Sequence, residues 1–202
     1  WEVTDKQGIK YIYGGEGAVI KGTITDASGQ SREVITEWKL KRVEETHGDY
    51  IEYVYETADE PVRGGLVAKA IYLKEVRAGN SGQAPHTVVV LEGSKQKRLK
   101  NNNARYGFLT SSNRLLEKLT VHFQGSTLRS YAFTYSEGAF NKDVLTGVKQ
   151  LDDKGAEVSY QNFDYYDDVQ AAKGYVPFKE KQEIWNTHND GLDAGFISPL
   201  KE

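Results

Sequence analysis

Between Trp38 and Tyr55 (WKLKRVEETHGDYIEYVY), apolar and polar residues alternate on either side of one tight turn, Glu45-Thr46-His47-Gly48-Asp49. Side chains two apart share a face of a strand, so this pattern admits little except an antiparallel hairpin. On the first arm Trp38, Leu40 and Arg42 fall on one face and Lys39, Lys41 and Val43 on the other. On the second arm Ile51, Tyr53 and Tyr55 share a face.

The rest of the chain extends the same reading. Trp1 to Tyr13 predicts a hairpin turning at Asp5-Lys6-Gln7-Gly8. Ala18 to Thr25 predicts a short strand closed by Asp26-Ala27-Ser28-Gly29, and Glu33 to Glu44 leads into the central hairpin. Gly14, Gly15 and Gly17 read as a flexible connection; no GK[ST] follows them, so they are not a phosphate loop. Glu56 to Gly65 reads as a polar loop. Val67 to Arg77 fits a strand better than a short helix, Ala78 to Pro85 a loop, and His86 to Leu91 a fully buried strand. Gly93 to Thr110, with Lys95, Lys97, Arg98, Lys100 and three asparagines, reads as a solvated loop or edge strand without function. Leu115 to Tyr135 and Leu145 to Tyr165 are two further hairpins, turning at Gln124-Gly125-Ser126 and Asp152-Asp153-Lys154-Gly155.

Three of these hairpins superpose as a repeat. Leu40, Val43, Gly48, Tyr53 and Tyr55 correspond to Leu116, Leu119, Gly125, Phe133 and Tyr135, and to Leu145, Val148, Gly155, Phe163 and Tyr165. Two apolar residues three apart lead into a glycine turn, and the return strand ends in an aromatic pair two apart. Repetition of one supersecondary unit is the mark of an array in which each unit covers the next.

Composition narrows the function classes. A formal net charge of -3 lets neither sign dominate and argues against a nucleic-acid surface. No apolar run is long enough to span a bilayer as a helix, and the absence of cysteine excludes disulfides and thiolate zinc sites. Starting at Trp1 and lacking methionine, the sequence reads as an internal or processed piece of a longer protein. Residues 1–168 form the expected β domain. Residues 169–202 are a polar tail with anchors Tyr175, Phe178, Trp185 and Phe196; they are expected either to hold a short helix near Pro177 to Trp185 or to link to a following domain.

With these residues in view, the chain resembles the amino-terminal region of the SpvB (Salmonella virulence plasmid B) family, shared with the B components of insecticidal Tc toxin complexes. The resemblance is carried by Trp1-Glu2-Val3-Thr4-Asp5-Lys6-Gln7-Gly8 with Tyr11-Ile12-Tyr13-Gly14, by residues 38–51, by Tyr72-Leu73-Lys74-Glu75-Val76, and by Tyr131-Ala132-Phe133-Thr134-Tyr135. The hairpin repeat is similar in kind to the YD repeats of RHS proteins, without their wording. The resemblance implies a secreted or surface-associated bacterial protein whose β-sheet helps form a shell. Its partners would be other regions of the same polypeptide or toxin-complex subunits. The ADP-ribosyltransferase motifs of some family members are absent from this sequence, so that activity is not carried over.

No residue is assigned a catalytic, cofactor-binding or metal-binding role, and no cofactor is expected. His47, His86, His122 and His188 stand apart in turn, loop edge, strand and tail, with no nucleophile elbow. Glu44, Glu45, Asp152 and Asp153 could only in principle form a paired-carboxylate site, because adjacent acids point to opposite strand faces and acids beside turns stay solvated. Asn186 to Asp193 (NTHNDGLD) has calcium-like composition without the ligand order of an EF-hand loop. The expectation is an all-β chain of antiparallel hairpins in an extended, strongly twisted sheet or spiral, acting as a non-catalytic module of a toxin-like protein. The alternative is a stand-alone surface module binding glycan or protein; glycan binding requires several aromatic rings exposed in one plane.

Overall fold

A computed structural model of the chain describes residues 1–165. The expected tail 169–202, the helix near Trp185, His188 and the Asn186 to Asp193 segment lie outside the described residues, as does the boundary at 168.

The described chain is nearly all antiparallel β. Its strands are β1 (Glu2–Thr4), β2 (Lys10–Tyr13), β3 (Val19–Thr25), β4 (Ser31–Trp38), β5 (Leu40–Glu44), β6 (Asp49–Pro61) and β7 (Val67–Asn80), then β8 (Thr87–Glu92), β9 (Asn102–Asn103), β10 (Thr110–Ser111), β11 (Lys118–Phe123), β12 (Ser126–Glu137), β13 (Asp143–Leu151) and β14 (Glu157–Asn162). One open sheet of 12 strands runs β1-β2-β5-β6-β7-β8-β11-β12-β13-β14, with β10 joined in parallel to β7 and β9 to β10. The β3–β4 hairpin forms a separate two-stranded sheet. Chain order and sheet order therefore agree except at two excursions, residues 14–39 and 93–117.

The turns follow from local chemistry. Gly8, Gly29, Gly48 and Gly155 donate their amides to the carbonyls of Asp5, Asp26, Glu45 and Asp152 at 3.0–3.3 Å, each glycine with φ between 84° and 93°. A side chain at that φ is strained, so glycine fixes the reversal. Where the first turn residue is aspartate, its Oδ1 also accepts two amides inside the turn, as Asp5 does from Gln7 and Ile9. The carboxylates of Asp5, Asp26 and Asp152 are all spent this way.

The repeat is present in the register. Val43 faces Ile51, Leu119 faces Tyr131, and Val148 faces Gln161, which are equivalent positions of the three units. Their unequal lengths are absorbed by bulges at Val121/His122 and Gln150/Leu151, which the first unit lacks. The Tyr55 hydroxyl donates to the Leu40 carbonyl at 2.8 Å, and the equivalent Tyr135 hydroxyl donates to Leu116 at 2.7 Å. Burial pushes both phenols above the ordinary tyrosine pKa. Tyr55→Phe and Tyr135→Phe are each expected to lower stability by about 1 kcal/mol. The two losses should add, because the bonds share no partner; urea unfolding of the two single variants and the double variant checks this.

A second regularity lies between hairpins. Tyr11 and Tyr13 of β2 face Val43 and Leu40 of β5. Tyr53 and Tyr55 of β6 face Val76 and Leu73 of β7, and Phe133 and Tyr135 of β12 face Val148 and Leu145 of β13. In every case the register slips by one residue just before the Leu–Tyr pair, so Lys41, Lys74 and Thr146 are the unpaired bulge residues. An aromatic-x-Tyr return strand thus meets a Leu-polar-x-Val lead strand three times over.

Several sequence expectations are corrected. Trp38 does not share a strand with Leu40: it ends β4 opposite Val19, and the chain corners at Lys39, whose amide donates to Ala18 and whose carbonyl accepts from Gly14. The glycine run is accordingly a fixed turn, with Gly14 at φ 77° packed against the Trp38 ring. Residues 56–61 are strand, not loop. β6 continues in register with β7 as far as Pro61, where the proline ends a strand and costs no ladder bond. β8 is half-buried rather than fully buried, because the sheet is mostly one layer thick. The only buried apolar residues among those described are Ala18, Ile20, Tyr50, Ala68, Ala70 and Leu115.

Candidate functional site

The sheet has two unlike faces. Tyr11, Val43, Ile51, Ala78, Thr87 and Phe123 form one continuous cross-strand row. Two residues along, and so on the same face, run Tyr53, Val76, Val89 and Val121, followed by Leu91, Leu119 and Tyr131. This face is apolar, yet Ile51 is 40% exposed and Phe123 43%. The opposite face carries a charge ladder. Arg42, Glu52 and Arg77 are cross-strand neighbours, with Arg42 on Glu44 at 2.6 Å, Arg77 on Glu75 at 2.7 Å, and the Arg42 guanidinium 3.9 Å over the Tyr50 ring. Glu44, one of the acids considered for a paired-carboxylate site, is a rung of this ladder.

Two carboxylates of the sheet, Glu60 and Asp143, fasten the excursion 93–117, and a third, Glu117, ties its two ends together. Glu60 of β6, 6% exposed, accepts from the Ser111 hydroxyl at 2.6 Å, the Tyr72 hydroxyl at 2.8 Å and Arg114 Nε at 3.2 Å. Tyr72 in turn accepts from the Asn113 amide at 3.0 Å, and Arg114 reaches on to Glu56 at 2.9 Å. Glu117 Oε2 accepts from the Ser94 amide, the Ser94 hydroxyl and the Lys95 amide at 2.8–3.0 Å. Asp143 of β13 accepts from the Arg98 amide at 2.7 Å and from its guanidinium. The basic stretch, expected to be a solvated loop or edge strand, contributes the edge strand β9 and is anchored to β13 through Arg98.

Electrostatics sets how this clamp responds to acid. Burial alone would raise the Glu60 carboxyl, but the hydrogen bonds from Ser111 and Tyr72 and the charge of Arg114 outweigh it and hold the pKa below the ordinary value. The Ser94 and Lys95 amides lower that of Glu117. A depressed carboxylate stabilises the fold at neutral pH and loses that contribution as pH falls below the unfolded value toward the folded one. Amides of residues 94–113 are expected to lose hydrogen-exchange protection below about pH 4, ahead of those in β11–β13. Exchange followed by NMR from pH 6 to 3 measures the order.

A cleft of about 320 Å³ lies beside this clamp, between Tyr72, Arg114, Leu91 and Leu116. Of its charged lining, Arg114 is held by Glu56 and Glu60, and Glu92 lies 3.9 Å from Lys118. The described histidines stay apart: His47 bonds Thr46 in its turn, His86 bonds Thr87, and His122 of β11 bonds Thr127 of β12. Asp152 is committed to its turn. Among the described residues no group of three or more His, Asp or Glu is placed to hold a metal, and no helix is long and apolar enough to cross a membrane. Trp1 and Trp38 are exposed, but their rings meet edge to face at 84° and present no common plane to a sugar.

This architecture is found in solved structures. The N-terminal domain of the effector protein SpvB from Salmonella typhimurium strain LT2 aligns over 75% of this chain with a TM-score of 0.56 at 15% identity. A TcdB2-TccC3-TEV crystal structure aligns over 78% with a TM-score of 0.53 at 16% identity. The Photorhabdus luminescens Tc holotoxin pore aligns over 78% with a TM-score of 0.54 at 17% identity. The chain spans 60% of the length of the first of these and 10% of the other two. At such identities the likeness is one of fold. No protein-family model and no curated protein matches the sequence.

Proposed function

We propose that this chain is a non-catalytic structural module of a larger secreted or surface-associated toxin-like protein, in which its sheet forms part of a shell wall. The observation that carries the reading is the two-faced single layer: an apolar face with Ile51 and Phe123 open to solvent backs onto a ladder of paired charges. A wall has two such environments, one turned inward and one to solvent. The fold likeness to SpvB and Tc toxin components supports the same reading. Its partners would be other regions of the same polypeptide or toxin-complex subunits.

The reading frame around the gene tests this. Further hairpin repeats in the same frame support the wall, and a frame coding for this domain alone overturns it. A glycan array decides the rival: saturable binding abolished by Trp38→Ala would make the chain a recognition module instead.

A further inference from the structure

β14 is a return strand without a lead strand on its outer side among the described residues, and all six of its residues are exposed. Three return strands, β2, β6 and β12, each carry aromatic-x-Tyr, and each is covered by Leu-polar-x-Val in the same bulged register. β14 leads into the fourth such pair, Phe163-x-Tyr165. Its inner side repeats the earlier unit: the Phe163 amide donates to the Thr146 carbonyl at 3.0 Å, as the Phe133 amide does to Glu117 at 2.9 Å. Backbone groups alternate sides along a strand, so the amides of Asn162 and Tyr160 point outward, as those of Ala132 and Ser130 do toward β13. Such an edge usually carries lysine, proline or a bulge against unwanted pairing. The sequence of β14, EVSYQN, has neither lysine nor proline, and its bulge lies on the side facing β13.

From the recurrence of this interface we infer that the outer edge of β14 receives, antiparallel, the Leu-polar-x-Val lead strand of a further hairpin unit of the longer polypeptide. The inference rests on the module reading above. Carrying over the β12–β13 register places the valine of the incoming strand opposite Phe163 and the residue two beyond it opposite Gln161, as Val148 faces Phe133 and Gln150 faces Tyr131. Gln161 then sits in a pair whose own hydrogen bonds point to the other strand; in such pairs the Cα atoms come within disulfide reach.

The chain has no cysteine, so the register can be read by trapping. Gln161→Cys in the full chain is mixed, in a glutathione redox buffer, with a nine-residue peptide of the β13 sequence, DVLTGVKQL, in which cysteine replaces in turn each of the last four residues. The peptide with cysteine at the Gln150 position should cross-link at least about tenfold faster than the other three. Replacing the leucine and valine at its Leu145 and Val148 positions by serine should abolish the preference. In parallel, the Asn162 and Tyr160 amides should gain exchange protection when that peptide is bound.

Equal rates across the four peptides, or a preference that survives the serine replacements, would overturn the inference. So would faster formation of a disulfide-linked homodimer of the Gln161→Cys chain, which would make a second copy the occupant. None of these results touches the gene-context test, so the module reading can stand if the edge assignment fails.

Discussion

Glu60→Ala is expected to lower stability by about 3–5 kcal/mol, the range for removing one partner of a buried ion pair. The carboxylate is the common acceptor for Ser111, Tyr72 and Arg114, so its loss leaves a half-buried guanidinium and two hydroxyls without their bond at once. Ser111→Ala removes a single bond and should cost about 1 kcal/mol. Chemical denaturation of the two variants measures the difference. If Glu60→Ala cost no more than Ser111→Ala, the network would not be what holds the excursion to β6–β7.

Gly93→Ala carries the second large effect, about 3 kcal/mol of overpacking. A Cβ on Gly93 would overlap the Leu115 carbonyl oxygen and lie 3.2 Å from Leu116 Cα, and these are backbone atoms that no rotamer change can move aside. The position has a meaning in the repeat. Leu119 faces Leu91, so on β8 the segment Leu91-x-Gly93 stands where the other return strands carry aromatic-x-Tyr. Here the chain leaves the sheet for the excursion 93–117, and its two arms pass too closely for any side chain. Alanine at Gln96, which the excursion carries in an isolated bridge to Arg114, should cost under about 1 kcal/mol by comparison. Thermal unfolding of both variants checks the contrast.

Much of the fold was legible because period-two alternation and x-x-x-Gly turns are local signals. The hairpins within 1–13, 40–55, 115–135 and 145–165 could be read from neighbours a few residues apart, and so could the repeat. Two things were hidden. The strand at 56–61 (ETADEP) has the composition of a loop; it is strand because β7 offers it a partner and Tyr72 a hydrogen bond to Glu60. The clamp was invisible because its partners are far apart in the chain, with Ser111 and Arg114 lying 51 and 54 residues from Glu60. Nothing in the local pattern marks Glu60 as different from Glu56 or Asp59.

The repeat itself was read within hairpins, whereas its tightest expression is between them. Leu73-x-x-Val76 belongs to it as fully as Leu40-x-x-Val43 and Leu145-x-x-Val148 and also leads to a glycine turn, at Gly82, but its return strand carries Leu91-x-Gly93 in place of the aromatic pair. The aromatic pair after a glycine turn identified the units. Only the strand register showed what each aromatic pair covers.

If the apolar face lies inside a larger wall, a single cysteine at Ile51 is shielded from maleimide in the intact protein expressed from its own gene and not in the isolated chain, with Lys154→Cys in an exposed turn as reference. Rapid labelling is expected at both positions in the isolated chain, with protection of position 51 by at least about tenfold in the intact protein while position 154 stays reactive. Equal labelling of position 51 in both would contradict it.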